Sequence, residues 1–346
     1  MVSTTVALLT TVACSAPRVS APSVPRPVVV AASSQSATAL TTGAAFLTTS
    51  GGAAKALTVQ LRAASDGHVL EDLLSTSGST TSLSVSPAAD GSVLVAENSS
   101  CRSTLIRLDL ASGRRGTIRS IPDDVSDLVV DPTGTRIAYL TQPTCSPSVC
   151  PGRCAGAAGF LPNVLVVMDL ATGRSTRTST DNPGHPLWSL GWSPDGTQLV
   201  AFYDGNAPGL LRFDGRAPNF ATATRIATRP GCQYVAATWT RTGIVAAESC
   251  GNPDLLSPGR LVETTPTGAV QASWPLPDCI NGLGLTSAPN GSTTFIETDI
   301  GYGNGSCSTR QANGVSPLTR MAAIDGRQLR TVIELRDGLD VRLAAY

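Results

Sequence analysis

Only two histidines occur in the 346 residues, His68 and His185, and neither has an evident partner along the chain. A serine or cysteine nucleophile is activated by a neighbouring base of that kind, so the chain is read as lacking histidine-assisted acyl transfer. His68 closes a Ser65-Asp66-Gly67-His68 turn and is read as solvated. The run Gly191-Trp192-Ser193-Pro194-Asp195 starts like a nucleophile elbow but ends on Asp rather than Gly, and Ser193 belongs to a turn that recurs elsewhere. No H-E-x-x-H, phosphate-binding loop or dinucleotide fingerprint is present. Carboxylates remain. Asp127, Asp299 and Asp340 could supply the facing pair of a carbohydrate-active hydrolase or lyase, whose separation would set the mechanism. The sialidase-type S-x-D-x-G-x-T-W box is absent, and the Asp299–Asn304 run is read as a Gly/Asn loop before a calcium site. No catalytic residue, cofactor or metal is assigned.

The cysteines point to a compartment rather than to a reaction. There are nine: Cys14, Cys101, Cys145, Cys150, Cys154, Cys232, Cys250, Cys279 and Cys307. Cys145, Cys150 and Cys154 cluster without the two-residue gap of a zinc knuckle, so disulfides are the preferred reading over zinc. Cys14 follows an apolar stretch, Val6–Val12, that is too short to span a bilayer. Thr11-Val12-Ala13-Cys14 resembles a bacterial lipobox, with Thr11 where Leu is usual and no basic residue before the apolar run. Residues 1–14 are therefore expected to be an export signal with Cys14 as the lipidation candidate. Setting Cys14 aside leaves an even eight cysteines, enough for four bridges. Residues 15–37 carry Pro17, Pro22, Pro25 and Pro27 with almost no charge and read as a Pro/Ser/Ala tether. The expected location is extracytoplasmic, secreted or lipid-anchored, with the membrane met only through the anchor. Acidic and basic side chains balance at 25 each, which argues against nucleic acid as a partner.

The elements that must position these residues are announced by a repeated phrase. An apolar run, a Pro or Thr with Asp/Asn-Gly, and a second apolar run recur at Val85–Glu97, Val130–Leu140, Trp192–Phe202, Trp239–Glu248 and Leu285–Thr298. A strand, turn, strand unit every 40 to 55 residues, on the order of one four-stranded blade each, predicts an all-β propeller over residues 38–346. Four strands can be placed in each of blades two to six; the second would use Ser82–Val85, Ser92–Glu97, Thr104–Leu110 and Gly116–Ile121. Before them, Ala39–Thr49, Ala56–Ala63 and His68–Leu74 supply three strands, and Leu339–Ala345 supplies one at the far end. Joined, they complete a first blade from both termini and close a ring of six.

The WSPDGTQLVAF phrase, its degenerate copies and the six-fold count resemble the secreted TolB-type β-propellers, a WD-repeat-like group of bacterial envelopes. The resemblance covers about Ala37–Tyr346. It implies a binding or scaffold module, since such propellers often lack catalysis or sit beside a hydrolase domain that is not recognisable here. The partner-binding segments of TolB itself have no recognisable counterpart, so its partners are not carried over.

Blade geometry then sorts the loops. Second-to-third loops, among them Asn98–Ser103, Gln142–Asn163, Cys250–Gly259 and Gly301–Leu318, are long and share one face with the links between blades. All eight remaining cysteines fall on that face. Equivalent placements predict Cys232–Cys250 and Cys279–Cys307, with Cys101 joined to one of Cys145, Cys150 and Cys154. Such bridges staple loops, and they would also preorganise a rim around the channel. At the loop-face ends of innermost strands, Asp127, Trp188, Tyr234, Asn281 and Asp340 are the candidate ligand-binding residues, with His185, Tyr203 and Tyr302 nearby. Their simpler reading is structural: Trp188 and Trp192 packing between blades, Asp127 and Asp340 bonding to backbone. The expectation is a monomeric, non-catalytic module for a protein, peptide or glycan, with the carboxylate enzyme as the alternative.

Overall fold

Six four-stranded antiparallel sheets make the ring in the computed structural model of the chain. The structure describes residues 34–51, 56–76, 80–99, 102–142, 163–182, 184–250, 259–276, 280–300, 318–325, 328–336 and 341–343. Blades two to six each use four consecutive strands. Their innermost strands are Ser82–Pro87, Asp127–Val130, Leu187–Trp192, Cys232–Trp239 and Ile280–Ser287. In the first blade Ala45–Ser50, Thr58–Ala63 and Val69–Ser75 are the second to outermost strands, and Val341–Leu343 supplies the innermost. Thr48 faces Leu343 and Ser50 faces Val341, so the two ends of the chain close the ring in one sheet. Closure by the termini is therefore as the apolar pattern predicts.

Each blade buries both sheet faces against its neighbours, which is why the strands read as near-continuous apolar runs. Six buried clusters alternate with the blades; one packs Val200, Phe202 and Leu210 of blade four against Tyr234, Ala237 and Ala246 of blade five. The second strand of each blade is the most enclosed: Val93–Ala96 and Leu199–Phe202 are all 2% exposed or less.

The repeated phrase folds as a local device. Asp90 accepts from the Ser92 N–H at 3.0 Å, Asp195 from the Thr197 N–H at 3.0 Å and Asn290 from the Ser292 N–H at 2.9 Å. Each side chain thus mimics a turn carbonyl, and the following glycine takes the left-handed backbone, with φ of +78° at Gly91 and +67° at Gly196. Ser193 acts in the same turn: it donates to Asp195 at 2.6 Å and accepts from the Gln198 N–H at 2.9 Å. It is 4% exposed, a turn residue and not a nucleophile.

One element differs from expectation. The strand expected over Ala39–Thr49 is divided into a helix, Ser34–Thr42, and a strand that begins only at Ala45. Gly43, at φ +77°, makes the corner, and a Cβ there would meet Thr293 Oγ1 at 2.6 Å. The alternating pattern of small residues suits either structure; packing of Leu40 into the first-blade core decides it. Thr42 O accepts from Ser292 Oγ at 3.2 Å, placing the helix on the tight-turn face.

Candidate functional site

Innermost strands start at the long-loop face, and three of them are irregular there. Register shifts occur between Trp188 and Gly191 in blade four, Tyr234 and Ala236 in blade five, and Ile280 and Gly282 in blade six. Blades two and three run through the same region in unbroken register. Bulges re-aim side chains, and they concentrate at barrel rims and sites. The channel mouth is therefore asymmetric, shaped on the side of blades four to six.

Trp188 is the side chain that this asymmetry exposes. Four large apolar residues among those described are more than a third exposed; Val69, Leu70 and Val270 lie on outermost strands, whereas Trp188, at 37%, lies on an innermost one. It belongs to none of the buried clusters between blades, whereas Trp192 belongs to the one between blades three and four. Trp192 is 7% exposed, donates its indole N–H to Val129 O at 3.2 Å and lies under the Arg136 guanidinium at 4.9 Å.

Behind Trp188 the backbone is strained. Ser189 has φ +58°, the one non-glycine in the left-handed region among the described residues. For a residue with a Cβ this costs on the order of 1 kcal/mol or more. The contact that holds it comes from the neighbouring blade: Asp127 Oδ2 accepts the Leu190 N–H at 3.0 Å. Asp127 is 3% exposed and its Oδ1 has no hydrogen-bond partner. Burial pushes its carboxyl up to about 6, against the opposing pull of the Leu190, Ser189 and Leu128 amides. Buried in this way, Asp127 is a positioning residue under the mouth and presents no oxygen to a carbohydrate in the channel.

Beside Trp188, the link entering blade four supplies a polar cluster that spacing alone did not reveal. Tyr203 Oη donates to Asp181 Oδ1 at 2.6 Å, and His185 Nδ1 lies 3.2 Å from that oxygen and 3.0 Å from Tyr203 Oη. His185 thus has partners after all, and with Tyr203 donating to Asp181, Nδ1 must carry a proton to reach the same carboxylate. Burial and the bond to Asp181 push the Tyr203 phenol up to about 12. Phe220 packs edge-on against Tyr203 at 5.2 Å between ring centres. The Asp181–His185 spacing is the only trace of this cluster in sequence.

Tyr234 is fully enclosed between blades four and five, with an unpaired phenol oxygen, and offers no surface at the mouth. Across the strand pair, Glu248 is completely buried. Burial alone would raise its carboxyl; hydrogen bonds from Arg229 Nη2 at 2.7 Å and Arg260 Nε at 2.5 Å hold it below the usual range instead. Next to it Cys232 and Cys250 face each other in register and form a disulfide, as expected. With both sulfurs bridged, the Cys232, Glu248, Cys250 group is not a metal site. Asn281 lies within the blade-six bulge. Asp340, Tyr302, Cys14, Cys101, Cys145, Cys150, Cys154, Cys279 and Cys307 lie outside the described residues.

No protein-family model matches the chain, and no curated protein matches it. Solved structures do. TolB from Acinetobacter baumannii superposes with a TM-score of 0.56 at 18% identity, over 86% of this chain and 65% of that one. A protein assigned as TolB in Agrobacterium tumefaciens gives 0.50 at 15% identity, over 80% of this chain and 93% of that one. An oligogalacturonate lyase in complex with manganese gives 0.50 at 14% identity, over 81% of this chain and 72% of that one. The chain thus spans 65% of the length of the Acinetobacter structure. Likeness at this identity establishes the six-bladed propeller of the TolB type as a fold, and a fold hosts many functions.

Proposed function

We propose that this is a non-catalytic extracytoplasmic binding module whose partner docks over Trp188 at the long-loop mouth of the channel. The observation that carries the reading is the exposure of Trp188 on an innermost strand, aimed by a bulge whose strained backbone is held by the buried Asp127. An exposed indole fixed on a rigid scaffold loses little entropy on binding and suits the apolar face of a peptide or a sugar ring. The Cys232–Cys250 bridge supports an oxidising compartment. Acylation of Cys14 would add a membrane anchor, and intact-mass measurement of the native protein distinguishes acylated from plain N-termini.

The carboxylate enzyme has less support, because Asp127 is turned into the blade interface. The decisive experiment is capture from the native envelope by the full chain and by Trp188→Ala, both checked for folding by urea titration. Loss of the same identified partner, with affinity down by about tenfold or more, supports the mouth as the docking site. Equal capture by both proteins overturns it.

A further inference from the structure

Thr228-Arg229-Pro230-Gly231-Cys232 brings the chain into the innermost strand of blade five through a tight turn. Pro230 and Gly231 at the two central positions, with Gly231 at φ +72°, fit a type II turn. The Cys232 N–H closes it by donating to Arg229 O at 3.1 Å, and Thr228 Oγ1 donates to Cys232 O at 2.9 Å. Arg229 is thereby fixed beside the Cys232–Cys250 bridge. Its Nη2 donates to Glu248 Oε2 at 2.7 Å and lies 3.5 Å from Cys250 Sγ. Arg260 reaches the same carboxylate from the third strand of the blade. Two guanidiniums therefore face one buried carboxylate, and one positive charge is left over close to the sulfurs. Both sulfurs lie within 4.8 Å of a Glu248 oxygen.

That surplus bears on the chemistry of the bridge. A nearby cation stabilises a thiolate, and the sulfur that forms the more stable thiolate is the better leaving group in exchange. Cys250, in contact with Arg229, is that sulfur. Its side chain is exposed, so the departing thiolate keeps water as well as the guanidinium. Cys232 is half-buried rather than enclosed, and a Cβ on Gly231 beside it would meet nothing within 4 Å. An attacking thiol can therefore reach Cys232 from the side of the turn.

We propose that Cys232–Cys250 is a thiol–disulfide exchange site at which a dithiol reductant attacks Cys232 Sγ and Cys250 leaves. The incoming thiolate forms a mixed disulfide with Cys232, and the electron pair of the broken bond stays on Cys250 Sγ. The second thiolate of the reductant then attacks the reductant's own sulfur in the mixed disulfide and releases Cys232, which takes a proton. The reductant ends as a disulfide, and the two electrons it gave up rest on the two cysteines. Opening the bridge unties the Cys232 end of the strand pair, next to the bulge that begins at Tyr234, whatever docks at Trp188. The test uses the full chain, folded and without denaturant, with acid quenching and peptide mass mapping to read each cysteine. Glutathione is expected to add to Cys232 and leave Cys250 free. After reduction by dithiothreitol, Cys250 is expected to react with iodoacetamide at lower pH than Cys232. Arg229→Gln should slow opening by dithiothreitol about tenfold, and Arg229→Lys should keep most of the rate. A bridge that opens no faster than the protein unfolds, a glutathione adduct on Cys250, the reverse order of alkylation, or an unchanged rate in Arg229→Gln overturns the proposal. The adduct and the order of alkylation are read on the wild type, so they decide even where Arg229→Gln unfolds.

Discussion

The two faces of the ring are made by opposite ends of the same strands, yet they are built in different ways. On the tight-turn face an Asp or Asn side chain caps its own turn, and the contacts that define the shape lie within about five residues. On the long-loop face the equivalent contacts are remote. Asp127 is bonded to Leu190, Tyr203 to Asp181, and Arg229 to Glu248. Local contacts repeat because each blade solves the same geometric problem alone. Remote contacts differ from blade to blade, and that is where the ring acquires a single exposed tryptophan.

The sharpest break of this contrast would come at Asp131, where a tight-turn carboxylate also reaches out of its turn. It accepts from the Thr135 and Arg136 N–H groups and pairs with the Arg136 side chain, which in turn bonds Gly196 O and Gly215 O of blade four. Asp131→Ala leaves the partly buried Arg136 uncompensated and should cost about 3 kcal/mol or more in urea unfolding. A cost below 1 kcal/mol would mean that this face is held by turns alone.

Asp127 sharpens the comparison through pH. Its carboxyl titrates about 6 in the fold against an ordinary 3.8. A raised carboxyl contributes stability below the unfolded value and loses it as pH rises through the folded value. The wild type should therefore lose on the order of 2–3 kcal/mol between about pH 4 and 6 relative to Asp127→Asn. Parallel urea midpoints for the two proteins across that window would show that Asp127 is not buried in this way. The smallest effect is expected at Ser189. Ser189→Gly removes the left-handed strain and should stabilise by up to about 1 kcal/mol, while loosening Trp188 and weakening partner capture. A destabilised Ser189→Gly would mean the strain is absent.

This division also explains what could be read from the sequence. Turn phrases such as Trp192–Phe202 encode their own structure, so the blade count, the strand limits within one or two residues apart from the start of the first strand, and the closing strand were legible. The Cys232–Cys250 bridge followed because both residues sit at equivalent ends of paired strands. Ser34–Thr42 was not legible as a helix, since its small residues suit strand or helix and Leu40 chooses by packing. At the mouth, sequence put Tyr234 beside Trp188 as a surface candidate, but a bulge in each strand changes which side chains face out. Gly191 and Gly282 mark two of the three bulges, but a glycine in an apolar run does not say which side chain the bulge turns outward, and the bulge at Tyr234 has none.

The pairing of Val341–Leu343 with Ala45–Ser50 has a consequence for assembly. Ala45–Ser50, Thr58–Ala63 and Val69–Ser75 are made before every other described strand, yet the strand that completes their sheet, Val341–Leu343, comes nearly three hundred residues after Ala45. The ring therefore stays open, with one raw edge, until Val341–Leu343 has emerged. Contacts of such long sequence separation form slowly, and a partner strand from another chain could take the edge first. Loss of the final strand should leave five intact blades and an adhesive sixth.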